Sequence, residues 1–215
     1  ALRPAQAAAR EFDRQKNIMA AAGVIQEGDP RPRPELEAVY RERFREHVVE
    51  LATGELVDDR YKPADLRQLK DARERARYSE VYEALGEDGS TIAWVLPVSG
   101  KGLWSILHGF LALDGDGRTV RGITFYEHGE TPGLGGEVDN PDWKALWPGK
   151  HIYAESGELY GVRVKKGKVN PDNPVEARHY VDGLSGATIT GNGVTALVKN
   201  GLVAFQPFLE KIKKG

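Results

Sequence analysis

The segment spanning residues 103–113 restricts the fold of this 215-residue chain more than any other stretch. Its odd and its even positions are both largely apolar, whereas a strand with one face in water alternates apolar with polar residues. We therefore expect a central strand in a sheet that is covered on both faces. Asp116-Gly117 then separates two hydrophobic runs and is a strong hairpin signal, so residues 119–126 are predicted to form its antiparallel neighbour.

Other patterns predict the rest of the sheet and its covering layers. Apolar or alternating runs predict further strands at residues 78–85, 91–98 and 160–165. Apolar residues at steps of three and four predict helices at residues 5–22, 36–51 and 64–76, and a long C-terminal helix from Thr190. The expected fold is α+β, with an antiparallel β-sheet packed against helices. Residues 1–76 are predicted to be an N-terminal helical extension, and residues 77–215 the main domain.

Composition excludes several classes of function. Charged residues make up 29% of the chain, but the net charge is only −2, so nucleic acid is not expected as a partner. The absence of cysteine excludes disulfides, thiolate chemistry and Cys-held metal clusters. The sequence contains no run of about 18 apolar residues that could span a membrane. It begins without Met, and we expect a natural segment, such as a membrane anchor or a signal, to precede Ala1.

The Ser-Gly-Ala-Thr segment (residues 182–190) stands where a Gly- and Pro-rich region gives way to the last helical pattern. Its small residues let a ligand approach the backbone, and the free N–H groups at a helix start suit a phosphate. Two hydroxyls, on Ser185 and Thr188, fall in the same turn. The alternative is that one of them caps the helix, while Gly186 and Ala187 merely fit the turn.

The Gly-rich loop (residues 127–137) follows the predicted hairpin and reads Glu-His-Gly-Glu-Thr-Pro-Gly-Leu-Gly-Gly-Glu. Its glycines would let the backbone lie flat against a planar ligand, with N–H and C=O groups facing the ligand's heteroatoms. Thr-Pro-Gly is also ordinary turn chemistry, so a plain loop is the alternative. Trp104, Trp143 and Trp147 could wall an aromatic site here or pack in the core.

None of the common catalytic templates is complete. The sequence holds no Gly-x-Ser-x-Gly elbow and no phosphate-binding P-loop, and the dinucleotide fingerprint that starts at Gly133 fails at Val138. The five histidines show no ligand-like spacing. Carboxylate pairs such as Glu127 with Glu130 are weak evidence for acid–base catalysis, because the chain contains 32 acidic residues and such pairs are common in it. We therefore predict neither a catalytic residue nor a metal ligand.

Taken together, Gly102-Leu103-Trp104, the Gly-rich loop and residues 182–194 resemble the family of C subunits of sodium-translocating NADH:quinone reductases, within the periplasmic FMN-binding domains. The resemblance covers most of the chain. It includes residues 14–18, Arg-Gln-Lys-Asn-Ile, which in that family follow a single N-terminal membrane helix that this sequence does not contain. Ser-Gly-Ala-Thr alone is a weak motif, but in fixed order after the Gly-rich loop it is specific.

The resemblance implies a cofactor and its site. In the family, a flavin transferase uses FAD to attach FMN, through a phosphoester, to the threonine that ends the motif Asp-x-x-Ser-Gly-Ala-Thr. The acceptor here would be Thr188, and the motif maps onto Asp182, Ser185, Gly186 and Ala187. The resemblance also implies that Thr131 and Leu134 lie against the isoalloxazine ring. The other cofactor-binding residues that we predict are Trp104, Glu130, Pro132, Gly133 and Gly135.

The resemblance also implies a function and a location. Residues 77–215 would be the FMN-binding domain, and residues 1–76 a stalk that follows the missing membrane anchor. The chain would be an electron-carrier subunit of a sodium-pumping NADH:ubiquinone oxidoreductase in the bacterial inner membrane, facing the periplasm. Its partners would be the other subunits and, during maturation, the flavin transferase. The alternatives are a subunit of the related ferredoxin:NAD ion pump, a stand-alone periplasmic flavoprotein and, in another class, a cofactor-free extracytoplasmic adaptor.

Overall fold

The computed structural model describes residues 2–213 and has the predicted architecture, an antiparallel sheet with helices on both faces. Its helices are α1 (Leu2–Ala21), α2 (Arg33–Arg43), α3 (Pro63–Gln68), α4 (Ala72–Arg75), a 3₁₀ helix (Gly135–Asp139), α5 (Pro141–Lys144), α6 (Pro174–His179), α7 (Thr188–Ala204) and α8 (Gln206–Ile212). Its strands are β1 (Phe44–Glu50), β2 (Glu55–Leu56), β3 (Tyr78–Leu85), β4 (Thr91–Lys101), β5 (Ile106–Asp114), β6 (Val120–Glu127), β7 (Arg163–Val164) and β8 (Tyr180–Val181).

The main sheet has the strand order β2-β1-β3-β4-β5-β6, and all its neighbours are antiparallel. The predicted hairpin at Asp116-Gly117 joins β5 to β6. β5 begins at Ile106 rather than at residue 103, because residues 102–105 form a turn closed by the hydrogen bond from Gly102 N to Ser105 O, 2.8 Å long. This 102–105 turn connects the two longest strands at one end of the sheet.

Two hydrophobic clusters cover the two faces of the sheet. One joins α1 and α2 to the sheet through Ile18, Met19, Leu36, Tyr82, Val95 and Phe110. The other joins α7 and α8 to the opposite face through Leu96, Leu111, Val194, Leu197, Leu202 and Phe208. β5 contributes to both clusters, so the prediction of a strand covered on two sides is confirmed.

The predicted helix at residues 36–51 is wrong in its second half. α2 ends at Arg43, and the chain continues directly into β1, which pairs with β3 along its whole length. The misleading feature is the spacing of Tyr40, Phe44 and Val48. A step of four residues keeps side chains on one face of a helix and also on one face of a strand, so the pattern fits both.

The first part of the chain contributes to the main sheet. β1 lies between β2 and β3, and α1 packs so closely on β6 that a Cβ on Gly122 would lie 2.4 Å from the main-chain oxygen of Ala21. The division of the chain at residue 77 stays a prediction, but the described residues before it include two strands and one covering layer. No helix within residues 2–213, α1 included, combines the length and the apolar character needed to cross a membrane.

Other predicted elements differ in their bounds. Residues 64–76 contain two short helices, α3 and α4, rather than one. The C-terminal helix starts at Thr188 and is interrupted at Phe205, because Pro207 in the first turn of α8 has no N–H to continue the α7 ladder. Of the strand predicted at residues 160–165, only Arg163–Val164 form a strand, β7, which pairs in parallel with β8.

We predict that Gly54→Ala strongly destabilises the fold. Gly54 has a φ of 72°, and a Cβ there would lie 2.4 Å from backbone atoms of Pro207 and Phe208. Backbone cannot swing aside as a flexible side chain can, so the added methyl must push the β1–β2 turn away from α8. The expected loss in the free energy of unfolding is about 3 kcal/mol or more, measured by urea denaturation.

Gly89→Ala is the matched control. Gly89 has a φ of 79°, but no heavy atom lies within 4 Å of the added Cβ. This variant should lose only about 1 kcal/mol in the free energy of unfolding, the cost of placing an L-residue in the left-handed backbone region. Equal losses in the two variants would contradict the close packing of the turn on α8.

Candidate functional site

The Gly-rich loop and the Ser-Gly-Ala-Thr segment, far apart in the sequence, lie side by side in the structure. The loop begins at the end of β6, and the segment leads into α7. The Cδ2 atom of Leu134 lies 2.9 Å from the position that a Cβ on Gly186 would take. A side chain of the loop therefore rests on the backbone of the segment.

The helix that follows the Ser-Gly-Ala-Thr segment begins without a side-chain cap. Its N-cap residue is Ala187, and no described side chain accepts a capping hydrogen bond there. Neither Ser185 nor Thr188 therefore caps the helix. Both hydroxyl-bearing residues are exposed. The alternative in which one of them caps the helix is therefore wrong. Such a start suits an anion, because the first-turn N–H groups carry partial positive charge.

A small cleft lies beside Thr188 at the start of α7. It is lined by Thr188, Asn192 and residues 164–167, which include Lys165 and Lys166. The hydrogen bond from Val164 N to Thr195 Oγ1, 2.9 Å long, ties β7 to α7. Lys165 pairs with Glu176, whereas Lys166 is exposed. Cations beside a helix start are a suitable setting for a phosphate ester.

Asp182 anchors the Ser-Gly-Ala-Thr segment to the rest of the protein. Its Oδ1 accepts a 2.8 Å hydrogen bond from Val169 N, and its Oδ2 pairs with Lys168 Nζ at 2.7 Å. Its main-chain oxygen accepts a 2.9 Å hydrogen bond from Trp143 Nε1. Burial raises the pKa of Asp182, but the bonds from Lys168 and Val169 lower it below its usual value. Its predicted part in cofactor binding stays a prediction.

Glu130 joins three segments at the centre of the site. Its Oε1 accepts hydrogen bonds from Trp104 N (3.0 Å), Ser105 N (3.1 Å) and Ser105 Oγ (3.1 Å), and its Oε2 from Leu103 N (3.1 Å) and Thr190 Oγ1 (2.6 Å). Burial raises the pKa of Glu130, but these hydrogen bonds outweigh it and bring the pKa to about 2. The carboxylate is therefore charged at neutral pH and connects the Gly-rich loop to the 102–105 turn and to α7.

Several exposed apolar side chains lie on or next to the segments that Glu130 connects. They are Leu103, Trp104, Ile106, Leu134 and Ile189, and Trp104 is 71% exposed. Thr131, Pro132 and Gly133 are exposed beside them, whereas Gly135 is buried at the start of the 3₁₀ helix. Trp143 and Trp147 lie in the core, as one of the two alternatives for them stated. Exposed apolar residues on all three segments that Glu130 connects make this part of the surface a candidate for contact with a ligand or a partner.

Some parts of the site were not predicted. Thr190 is completely buried and donates to Glu130, and Ser105 both donates to Glu130 and accepts a 2.7 Å hydrogen bond from Gly129 N. The position of Thr190 four residues before Val194, on the apolar stripe of α7, was a usable signal, because a buried hydroxyl needs a partner. Nothing in the sequence marked Ser105. Within residues 2–213, no cluster of three or more His, Asp or Glu side chains is arranged to hold a metal ion.

We predict an acid-sensitive contribution of Glu130 to stability. The folded-state pKa of about 2 lies below the usual 4.5, so the contribution is complete above pH 4.5 and is lost as the pH falls toward 2. The free energy of unfolding should fall more steeply for the unmutated chain than for Glu130→Gln between about pH 5 and about pH 3, in urea titrations. The difference between the two chains at each pH gives the contribution of Glu130 alone, because the other carboxylates are the same in both. Parallel plots of the free energy of unfolding against pH would contradict the prediction.

Comparisons with known proteins show which family the chain resembles. The model of the FMN-binding domain family matches residues 102–203, a range that includes the 102–105 turn, the Gly-rich loop and the Ser-Gly-Ala-Thr segment. The C subunit of the Na(+)-translocating NADH-quinone reductase of Pseudomonas aeruginosa is 44% identical over 234 residues, which cover 100% of this chain and 88% of that protein. The protein of the same name from Yersinia pestis is 39% identical and covers 100% of this chain and 85% of its own length.

Solved structures show the same similarity in three dimensions. The crystal structure of Shewanella oneidensis NqrC superposes with a TM-score of 0.82 at 30% identity, over 96% of this chain and 100% of that one. The C subunit from Parabacteroides distasonis gives a TM-score of 0.76, also at 30% identity, over 97% of each chain. Similarity of this extent in both sequence and structure assigns the family: the chain belongs to the C subunits of the Na(+)-translocating NADH-quinone reductases and contains their FMN-binding domain.

Proposed function

We propose that the chain is the electron-carrier flavoprotein subunit of a sodium-pumping NADH:ubiquinone oxidoreductase and carries FMN through a phosphoester to Thr188. Bound FMN supplies one- and two-electron redox chemistry, and the protein tunes it through contacts and hydrogen bonds. The chain alone would oxidise no NADH. The full-length similarity to subunits of NADH-quinone reductases supports this function.

The observation that carries the proposal is the position of Thr188. It is the exposed first residue of an uncapped 17-residue helix and lies beside Lys165 and Lys166. A phosphoester retains negative charge, which the first-turn N–H groups of α7 would offset. The residues present therefore fit a phosphate linked to this hydroxyl.

The ring of the flavin also has suitable residues nearby. Leu134 rests on Gly186 in the Ser-Gly-Ala-Thr segment, and Trp104 is fixed through its backbone N–H to Glu130. These exposed apolar side chains would contact the ring faces, while Thr131 and the loop backbone offer polar groups. A flavin held at this surface would keep an accessible edge, which an electron carrier needs.

The proposed function requires partners and a location. Electrons would pass from a cofactor in one neighbouring subunit to a flavin in another, so the other subunits of the complex are the proposed partners. A flavin transferase would be a transient partner during maturation. We place the chain at the periplasmic face of the bacterial inner membrane, and its lack of cysteine is compatible with an oxidising compartment.

The alternatives make different demands on the chain. A subunit of a ferredoxin:NAD ion pump and a stand-alone periplasmic flavoprotein would share the flavin chemistry, but the full-length relatives favour the NADH-quinone reductase. A cofactor-free adaptor would have no use for an uncapped, exposed threonine beside two lysines.

We expect co-expression with a flavin transferase to raise the intact mass of the chain by one FMN less one water, with a flavin spectrum that survives denaturation. Thr188→Val removes the acceptor hydroxyl with little change in shape, and Thr188 is exposed, so the fold should be retained without the added mass. Mass spectrometry of the denatured protein measures both results.

Thr188→Ser is the control for this experiment, because it keeps an acceptor hydroxyl at the same exposed position. This variant should keep the covalent flavin. Covalent flavin on Thr188→Val would show that the attachment site is wrong. An unmutated chain that stays colourless and unmodified beside an active transferase would favour the adaptor instead.

A further inference from the structure

The carboxylate of Glu130 has little acceptor capacity left for a ligand. Its two oxygens offer about four lone-pair sites, and five hydrogen bonds from protein donors already reach them. The residue is 5% exposed. The geometry therefore favours a role other than the direct cofactor contact predicted from the sequence.

The space around this carboxylate depends on two glycines. A Cβ on Gly102 would lie 2.6 Å from Oε1 of Glu130, and a Cβ on Gly135 would lie 2.9 Å from Oε2 and 2.6 Å from Thr190 Oγ1. Any side chain at either position would displace the carboxylate or its donor. The two glycines therefore create a compartment that fits one buried carboxylate.

This compartment lies where the two halves of the proposed flavin site meet. Glu130 directly precedes Thr131 in the loop, and it holds the backbone of Leu103 and Trp104. Through Thr190 it also holds the first turn of α7, two residues beyond Thr188. One side chain thus fixes the position of the ring-side residues relative to the attachment residue.

The charge of this carboxylate is not neutralised by a neighbouring cation. Among the described residues, no Lys, Arg or His side-chain nitrogen lies within 4.0 Å of the carboxylate oxygens of Glu130. The five hydrogen bonds that these oxygens accept come from backbone amides and from hydroxyl groups. Neutral donors stabilise a charge but do not cancel its field. A negative charge next to a redox group disfavours reduction, because reduction adds an electron.

We propose that Glu130 is a positioning residue of the flavin site: it aligns the Gly-rich loop with the start of α7, and its charge lowers the reduction potential of the bound flavin. The inference rests on the proposed function and extends it to the residue that sets the geometry and the potential. It also explains why a buried carboxylate stands in a loop that is otherwise largely exposed.

The first test uses the full chain without FMN, expressed without a transferase. Hydrogen exchange is measured at the amides of Leu103, Trp104 and Ser105, which donate to Glu130. In Glu130→Gln one oxygen becomes an NH₂ donor, so exchange should be about tenfold faster at the amides that donated to that oxygen, either Leu103 or Trp104 together with Ser105. Thr190→Val is the matched control, because it keeps the carboxylate and should leave these amides protected. Unchanged exchange in Glu130→Gln would overturn the positioning role.

The second test uses the same variants after transferase has attached FMN. Attachment should be several-fold slower in both variants, because Thr190→Val loses the link between the loop and α7 and Glu130→Gln loses an acceptor for the 102–105 turn. Only Glu130→Gln removes the charge. Its equilibrium constant for two-electron reduction should rise about tenfold, or about 30 mV, while Thr190→Val keeps the original potential. An unchanged potential in Glu130→Gln would overturn the electrostatic role.

Gly129→Lys decides the electrostatic question if Glu130→Gln does not fold. A Cβ at Gly129 meets only Ser105, at 3.4 Å, so the substitution is sterically acceptable. An ammonium beside the carboxylate should raise the potential, and an unchanged potential would overturn the role of the charge. Failure of the unmutated chain to acquire FMN would instead contradict the proposed function, and the exchange experiment on the flavin-free chain would still decide the positioning role.

Discussion

Burial of β5 on both faces is the constraint on which the rest of the structure depends. Its side chains enter two separate hydrophobic clusters, so the sheet needs a helical layer on each side. α7 and α8 provide one layer, and α1 and α2 provide the other. The segments near the start and the end of the described chain are therefore both required to cover this one strand.

This layering places the site on rigid elements. The 102–105 turn and the Gly-rich loop leave strands held in fixed register, with Lys101 opposite Ile106 and His108 opposite Glu127. The first turns of α7 lie against the end of β4, where a Cβ on Gly193 would lie 2.4 Å from the main-chain oxygen of Lys101. Close backbone packing therefore positions the helix start, and sites built on such elements hold their geometry well.

The sequence predicts what is periodic and local, and it predicts less well what depends on long-range pairing. The strands β3 to β6 and the hairpin at Asp116-Gly117 were predictable because alternation and turn chemistry are local signals. β1 was not, because the spacing of Phe44 and Val48 fits helix and strand equally and only pairing with β3 distinguishes them. In the site, small residues indicated both the Gly-rich loop and the Ser-Gly-Ala-Thr segment. The sequence did not indicate that Glu130 connects them. Three of its five hydrogen bonds come from backbone N–H groups, which nearly every residue has.

The hydrogen bond between Trp143 and the main-chain oxygen of Asp182 has an optical consequence. The indole of Trp143 packs edge-on against Trp147, with ring centroids 5.5 Å apart, and is fixed to the first residue of the Ser-Gly-Ala-Thr segment, which contains Thr188. Indole emission overlaps flavin absorption, so energy transfer to a flavin on this segment would quench the fluorescence of the buried pair. The buried pair would thus be an intrinsic fluorophore that distinguishes a flavin-loaded chain from an empty one without any label.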